Sequence, residues 1–492
     1  MYSGEGLVHV GGQKQPSLYN CNSVMNCASD LRDLFGSAWI GWFCWNGHYS
    51  LGLSQYCPLA VVLCVDDSEL YDDVERCQGI QFFSLERHTG RRFERRDSAA
   101  EDVVPRYRAA LEEALRRAAE RRRIFAASMA PASLAAIAHQ YGCELIANPP
   151  ELCRWLGDKT NLQAALQQLG LPRIPGTWMR LSESRYSEIA RELGTDLVAQ
   201  LPHGNGGSGT IFLSSEAGYR LAGELFGDSC VWVARDLGQL SVNINALALT
   251  SGVIVSCPSV QLEGLAAAGA RRGLYCGNDF VSAQDLPSEI LEDVSDQTLR
   301  LGWWLASLGY RGLFGLDFVI DQATSRAFAV DLNPRWQGST APLSLAEQSM
   351  GRLPLAVADL ASRAGVLGES EIRRNADRFR EPVSAAHLCL RCPDSHWSRV
   401  DGDLRPAVYD FAVRDEPLRP GCRYSDLENP GEILVTGSAP RRGTLLGPRA
   451  HALRFATNQQ IFDVASFSLL PWYGQAVTKL WSALALQPVA AE

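Results

Sequence analysis

The stretch Gly315-Leu-Asp317-Phe-Val-Ile-Asp321, followed after a short turn by Ala327-Phe-Ala-Val-Asp331-Leu-Asn333-Pro-Arg335, holds two carboxylates one strand apart. Asp317 sits in an apolar run with strand character, and Asp331 ends a second apolar run, Ala327 to Val330. Pairing of the two strands through Ala323-Thr-Ser-Arg326 lets both carboxylates point into one site. Asn333 adds a neutral oxygen and Arg335 a fixed cation. Two acids and an amide oxygen form a hard, oxygen-only set, suited to Mg²⁺ (or Mn²⁺) bridging the phosphates of a nucleotide. Standing alone, the same acids would read as the solvated edge of a hairpin. They do not stand alone.

Upstream, Leu197-Val-Ala-Gln-Leu-Pro-His-Gly204-Asn-Gly-Gly-Ser-Gly209-Thr-Ile-Phe-Leu213 contains a literal G-x-G-x-x-G at Gly204, Gly206 and Gly209. A dinucleotide fold needs a strand before that motif and a helix after it. Here Thr210-Ile-Phe-Leu213 is short and reads as a second strand, so the segment is a glycine-rich hairpin. Its free backbone N–H groups can fold over phosphates, as in the flexible covers of phosphoryl-transfer sites. A nicotinamide-dependent dehydrogenase is therefore ranked third among the readings.

With 492 residues the chain has length for about three domains. Its 46% hydrophobic and 21% charged residues are ordinary for a globular protein. A net charge of −9 offers no broad positive field for nucleic acid. The arginines between Arg116 and Arg123 are interleaved with Glu112, Glu113 and Glu120 and read as a solvated helix face. No apolar run approaches the ~18 residues that span a bilayer, and Met1-Tyr-Ser-Gly-Glu-Gly6 has no signal core. The fourteen cysteines sit mostly in apolar runs. A cytoplasmic protein with free, buried thiols is expected, with no membrane and no nucleic-acid partner. Cys389-Leu-Arg-Cys392 has redox or zinc spacing, but without a second Cys or His pair chance explains it better.

Short apolar runs (Leu7–Val10 before Gly11-Gly12, Leu59–Val65, Ile124–Ala127, Glu144–Ala147) alternate with helical patterns at Val104–Arg123 and Pro131–Tyr141. That is an open α/β layer, closed by Pro149-Pro150. A helix opens at Lys159, and the chain from Leu197 to Val260 reads mostly as strands. Pro287–Leu308 and Leu343–Ala364 read as helices, with Pro287 suited to a first turn. The tail from Pro382 has strands of its own, at Glu432–Thr436 and Ala452–Ala456. It ends in a helical segment whose Trp472 and Tyr473 would suit an interface, such as that of a homodimer. The expected division is 1–150, 151–380 with a lid at about 175–240, and 381–492.

A basic residue in Gly157-Asp-Lys159, the glycine hairpin, a hinge-like strand Cys230-Val-Trp-Val-Ala-Arg-Asp-Leu-Gly238-Gln239, a helix and the Asp317…Asp331-Leu-Asn333-Pro-Arg335 unit follow in that order. In this order the chain resembles the ATP-grasp superfamily of ATP-dependent ligases over roughly residues 140–365. A weaker similarity points to peptide-bond-forming ligases of bacterial biosynthetic pathways. The resemblance implies an α/β and α+β multidomain fold: an N-terminal open α/β (pre-ATP-grasp) domain, an ATP-grasp fold and a small C-terminal mixed domain. It implies ATP and Mg²⁺ as well. Lys159 would contact the phosphates, while Gly206, Gly207, Ser208 and Gly209 cover them. The strand around Val233, Ala234, Arg235 and Leu237 would line the adenine, with Gln239 near the ribose. Asp317, Asp331 and Asn333 would hold one or two Mg²⁺, and Arg335 the acyl phosphate. Two positions depart from the family pattern. Gln200 stands on the strand entering the glycine loop, where lysine is usual, and Gln261 stands where a later basic residue often helps. Glutamine hydrogen-bonds a phosphate but brings no charge. Arg271 and Arg272, in the Gly264–Gly273 segment, either supply that charge or are solvated.

The expected chemistry follows from these parts. A small-molecule carboxylate attacks the γ-phosphate of ATP, a lid shields the labile acyl phosphate, and an amine attacks it to give an amide or peptide bond, ADP and phosphate. No side-chain nucleophile is required, and lone histidines such as His203 and His387 read as structural. The rivals are a nucleotide-binding module without turnover, and acyl-phosphate transfer to a thiol or other acceptor. Bicarbonate could also be the carboxylate, although no carrier lysine flanked by methionines is present for biotin chemistry.

Overall fold

A computed structural model describes residues 31–489, apart from 93–107, 110, 117–120, 128, 131, 205, 208, 393–395 and 437–438. The Leu7–Val10 run, Gly11-Gly12, Ser208 and part of the Val104–Arg123 pattern lie outside the described residues. The chain folds as a mixed α/β protein with a five-stranded parallel sheet and antiparallel sheets of four and ten strands.

The N-terminal layer is a five-stranded parallel sheet in the order Gln81–Ser84, Leu59–Cys64, Trp39–Cys44, Arg123–Ala127, Glu144–Ile146. All six residues of the central strand Trp39–Cys44 are buried, as a parallel strand covered on both faces requires. The sequence pattern had not marked this strand, because Gly41 interrupts it. A Cβ at Gly41 would lie 2.7 Å from the Phe125 ring, so close ring contact demands the glycine.

Next comes a four-stranded antiparallel sheet in the order Gly176–Arg180, Cys230–Arg235, Leu197–Gln200, Thr210–Leu213. Helices Tyr186–Leu193 and Glu216–Phe226 pack on one face of it. Their apolar stripe (Ile189, Leu193, Tyr219, Phe226) closes a small separate core with Ala199, Leu213 and Val231. Thr210–Leu213 is indeed a strand, and the glycine segment is the hairpin that joins it to Leu197–Gln200.

The largest sheet has ten strands and is antiparallel. Its order is Arg326–Asn333, Gly312–Asp321, Ser241–Ala248, Ser259–Glu263, Tyr275–Asp279, Ala386–Arg391, His451–Thr457, Ile433–Val435 and Ala407–Tyr409, with Val253–Val255 added beside Ser241–Ala248. Strands from beyond residue 381 therefore continue the same sheet that carries the acidic hairpin. The helix Ser288–Ser307 lies against it, and Pro287 is its N-cap rather than a first-turn residue. The single helix expected over Leu343–Ala364 is two, Thr340–Ser349 and Leu355–Arg363. Gly351 turns left-handed at φ +70° and Pro354 cannot donate to a continuing helix.

Two surface expectations are corrected. Tyr473, in the helix Pro471–Leu484, is buried against Phe455, with ring centroids 6.5 Å apart. Trp472 spends its N–H on the Gly431 carbonyl at 3.0 Å. Tyr473 is therefore internal packing, and Trp472 is half-buried with its N–H already engaged. Cys389 and Cys392 are fully buried. Among the described residues no helix is long and apolar enough to cross a membrane.

Candidate active site

Between the four-stranded sheet and the large sheet lies a cleft of about 630 Å³. Its floor is the hairpin Gly312–Asp321 and Arg326–Asn333, closed by the expected turn. There Asp321 accepts from the Ala323 N–H at 3.0 Å and from the Thr324 hydroxyl at 2.7 Å. Asp317 and Asp331 are direct cross-strand partners, whereas Phe318 pairs with Ala329, so Val330 is an extra, bulged residue. The bulge breaks the alternation, and Val330 and Asp331 both line the cleft although they are neighbours in the chain.

Around the pair the polar groups interlock. Asn243 donates to Asp317 Oδ1 at 2.5 Å, and Asn333 Nδ2 reaches Asp317 Oδ2 at 3.3 Å. Arg335 Nη2 donates to Asn333 Oδ1 at 2.7 Å, and Lys159 Nζ lies 2.6 Å from Asp331 Oδ1. Gln337 and Ser339 hold Asn243 from behind. A Cβ at Gly315 would fall 2.0 Å from the Gln337 side chain, so the network is seated against bare backbone. Burial first, and Asp331 second, push the Asp317 carboxyl up to about 7. Two acids that repel each other, an amide oxygen and no sulfur make a donor set that fits a hard divalent cation.

That raised value has a testable sign. The unfolded chain releases the Asp317 proton near pH 4, while the folded protein holds it until about 7. Folding is therefore penalised progressively as pH rises through that window. Asp317→Asn, melted in chelator, is expected to match wild type near pH 4 and to exceed it by ~4 kcal/mol at pH 8, about three pH units at about 1.4 kcal/mol each. An equal difference at both pH values would mean that the folded protein does not hold the Asp317 proton above its ordinary range.

Opposite the acids, Gly206, Gly207 and Gly209 roof the cleft, all at positive φ (+58°, +82° and +103°). Tyr275 N–H meets the Gly206 carbonyl at 3.4 Å, and Lys159 N–H meets that of Pro202 at 3.0 Å, so the hairpin rests on the core. Gln200 lines the cleft and donates to Thr210 Oγ1 at 3.2 Å. Ile174, Val198, Trp232, Ala234, Leu237 and Val330 form an apolar part of the lining. Arg235, Gln239 and Arg272 also line the cleft. Arg272 pairs with Asp236 at 2.6 Å and lies 4.0 Å over the Phe212 ring.

Two expected residues sit elsewhere. The Val233 side chain points into the core behind the four-stranded sheet, because strand alternation turns Trp232 and Ala234 to the cleft instead. Arg271 is exposed beside Arg272, outside the cleft lining. Several charged residues of the lining were missed, among them Glu263, Asp66 and Arg454. Glu263 lines the cleft, accepts from Gln261 at 2.7 Å, and is held above the usual carboxylate range by burial. Asp66 and Arg454 line its far end. Glu263 was legible two residues after Gln261 on one strand face, but the other two depend on long-range pairing.

No family model matches the chain. A biotin carboxylase of Nostoc sp. is 22% identical over 345 residues, 66% of this chain and 72% of that one. The [butirosin acyl-carrier protein]--L-glutamate ligase of Niallia circulans is 24% identical over 196 residues, 39% of this chain but only 46% of the ligase's own length. Among solved structures, the L-amino acid ligase from Bacillus licheniformis superposes with a TM-score of 0.54 at 11% identity, covering 92% of this chain and 99% of that one. The biotin carboxylase domain of the Hydrogenobacter thermophilus 2-oxoglutarate carboxylase, solved with MgADP, ADP and bicarbonate, gives 0.53 at 13% identity over 92% and 91%. Identities this low speak to architecture alone, and that architecture is the same in each: the chain has the ATP-grasp fold.

Proposed function

We propose that this protein is an ATP-dependent ligase that activates a small carboxylate as an acyl phosphate and joins it to an amine. The observation carrying this reading is the cross-strand pair Asp317 and Asp331, with Asn333 and Arg335, on the floor of a cleft roofed by glycines. ATP enters with its base against the apolar lining of Ile174, Trp232 and Val330 and its phosphates under Gly206 and Gly207, beside Lys159. Asp317, Asp331 and Asn333 would hold Mg²⁺, which when bound screens the charge of the phosphates. A carboxylate oxygen of the donor attacks the γ-phosphorus and ADP leaves. Arg335 steadies the acyl phosphate, and the seated hairpin keeps water from it. The amine nitrogen then attacks the acyl carbon, the C–O bond to phosphate breaks, and the nitrogen gives up a proton. Sequence similarity to an acyl-carrier-protein–glutamate ligase supports the amide reading, and similarity to a biotin carboxylase keeps carboxylation as its rival.

The test is ADP and phosphate release from MgATP with pooled amino acids and small carboxylates, run beside a pool holding only bicarbonate and biotin. Release that requires the amino-acid pool is the expected result. Release confined to bicarbonate would replace amide formation by carboxylation. ATP binding without release in any pool would return the protein to a silent nucleotide module.

A further inference from the structure

Arg454 lies on the strand His451–Thr457, directly across from Cys389, and lines the cleft five strands along the large sheet from Asp317. Only 4% of the residue is exposed. Its guanidinium donates to His48 Nε2 at 3.0 Å, and its Nε has no hydrogen-bond partner. Among the described residues no carboxylate comes within ion-pair distance of it. Other half-buried arginines here do find acids: Arg419 meets Glu432 at 2.6 Å, and Arg441 meets Asp67 and Asp72 at 2.7 Å each. The acid nearest in effect, Asp66, is engaged by the Gly47 N–H at 2.6 Å and the Tyr71 hydroxyl at 2.8 Å. Arginine cannot shed its charge, so a buried, unpaired one is costly until an anion reaches it.

The position of this cation says which anion. The carboxylate that becomes phosphorylated must sit at the Asp317–Arg335 end, where the phosphates lie under the proposed function. An arginine at the opposite end of the same cleft meets a carboxylate that does not react. We propose that Arg454 binds the carboxylate left free in the product, that of an amino-acid acceptor whose amine points back toward the acyl phosphate. This rests on the ligase reading and narrows it: the acceptor is a free amino acid rather than a neutral amine. The planar guanidinium fork, with Nε unspent, matches a carboxylate.

ADP release from MgATP is compared for each free amino acid and its amide, and for monoacid and diacid donors, in wild type, Arg454→Gln and Arg454→Lys. Arg454→Gln is expected to raise the KM for the free amino acid about 30-fold or more. The lysine variant should recover part of that loss, the KM for ATP should stay unchanged, and amides should serve both proteins equally poorly. An unchanged acceptor KM overturns the proposal, as does a joint fall of kcat, ATP affinity and melting temperature. A KM increase confined to diacid donors also overturns it, by assigning Arg454 to the donor. If no pool supports release, the ligase reading falls on its own. The carboxylate site is then decided by titrating glycine and succinate calorimetrically into MgADP-loaded wild type and Arg454→Gln. Binding to wild type alone sustains it, and equal or absent binding in both removes it.

Discussion

Asp331→Ala is expected to lower ATP turnover by about three orders of magnitude, some 4 kcal/mol of transition-state stabilisation, while the protein stays folded. Two effects add in turnover. The variant loses a carboxylate from the three-oxygen set, and it frees Lys159, whose ammonium lies 2.6 Å from Asp331 Oδ1, to move off the line of the phosphates. In stability the effects oppose. Lys159, only 8% exposed, loses its partner, while Asp317 is relieved of the second-largest influence holding its carboxyl up at about 7. The melting temperature should therefore move little. Asp331→Asn keeps the shape and one oxygen, so it should retain more nucleotide binding but need more Mg²⁺ for half-maximal effect. The measurement is ADP release against Mg²⁺ concentration for both variants, beside a melting curve. Turnover within tenfold of wild type in Asp331→Ala would mean that the pair does not serve the phosphates, and the reading of the whole cleft would go with it.

The floor of the cleft was legible because its signals are local. Alternating apolar residues, a four-residue turn and an Asp-x-Asn-x-Arg run lie within 21 residues of one another, Gly315 to Arg335, and pairing followed from them. The hairpin roof was legible for a similar reason, since Thr210-Ile-Phe-Leu213 is too short and too β-favouring to begin a helix. What failed was phase and distance. In Val231-Trp-Val-Ala234 every residue is apolar, so the period of two leaves its origin undetermined, and Val233 was assigned to the side that Trp232 and Ala234 occupy. The bulge at Val330 is likewise silent in composition, yet it decides which way Asp331 faces. Arg454 sits in Leu453-Arg-Phe455, which reads as an edge strand carrying one outward charge. Only the pairing of His451–Thr457 with Ala386–Arg391, and of that strand with Tyr275–Asp279, turns it into the cleft. Tyr473 looked like an interface residue for the same reason: the partner that buries it, Phe455, is on a strand eighteen residues earlier.

Gly207→Ala should separate ATP consumption from ligation more sharply than any change among the charged residues. Gly207 has φ +82°, and a Cβ there would fall 1.7 Å from the Gly273 carbonyl oxygen and 2.7 Å from its carbon. Both are backbone atoms, so no rotamer relieves the clash and the tip of the hairpin must lift. Its seat is built to match: Gly273 itself has φ +75°, and a Cβ there would meet the Phe212 ring at 2.7 Å. The hairpin and the Gly264–Gly273 segment thus meet glycine to glycine, with Arg272 stacked on Phe212 beside them. Lifting the tip admits water to the acyl phosphate while leaving the Asp317 and Asp331 floor intact. The expected result is about a 100-fold loss in product formation with a much smaller loss in ADP release. Gly79→Ala controls for backbone strain, because Gly79 adopts φ +69° at a helix C-cap with nothing within 4 Å of the added Cβ. That variant should lose about 1 kcal/mol of stability and no coupling. Product and ADP are measured together over one time course. A product-to-ADP ratio in Gly207→Ala equal to that of wild type would mean that the roof is not what excludes water, and that the two sheets shield the intermediate without it.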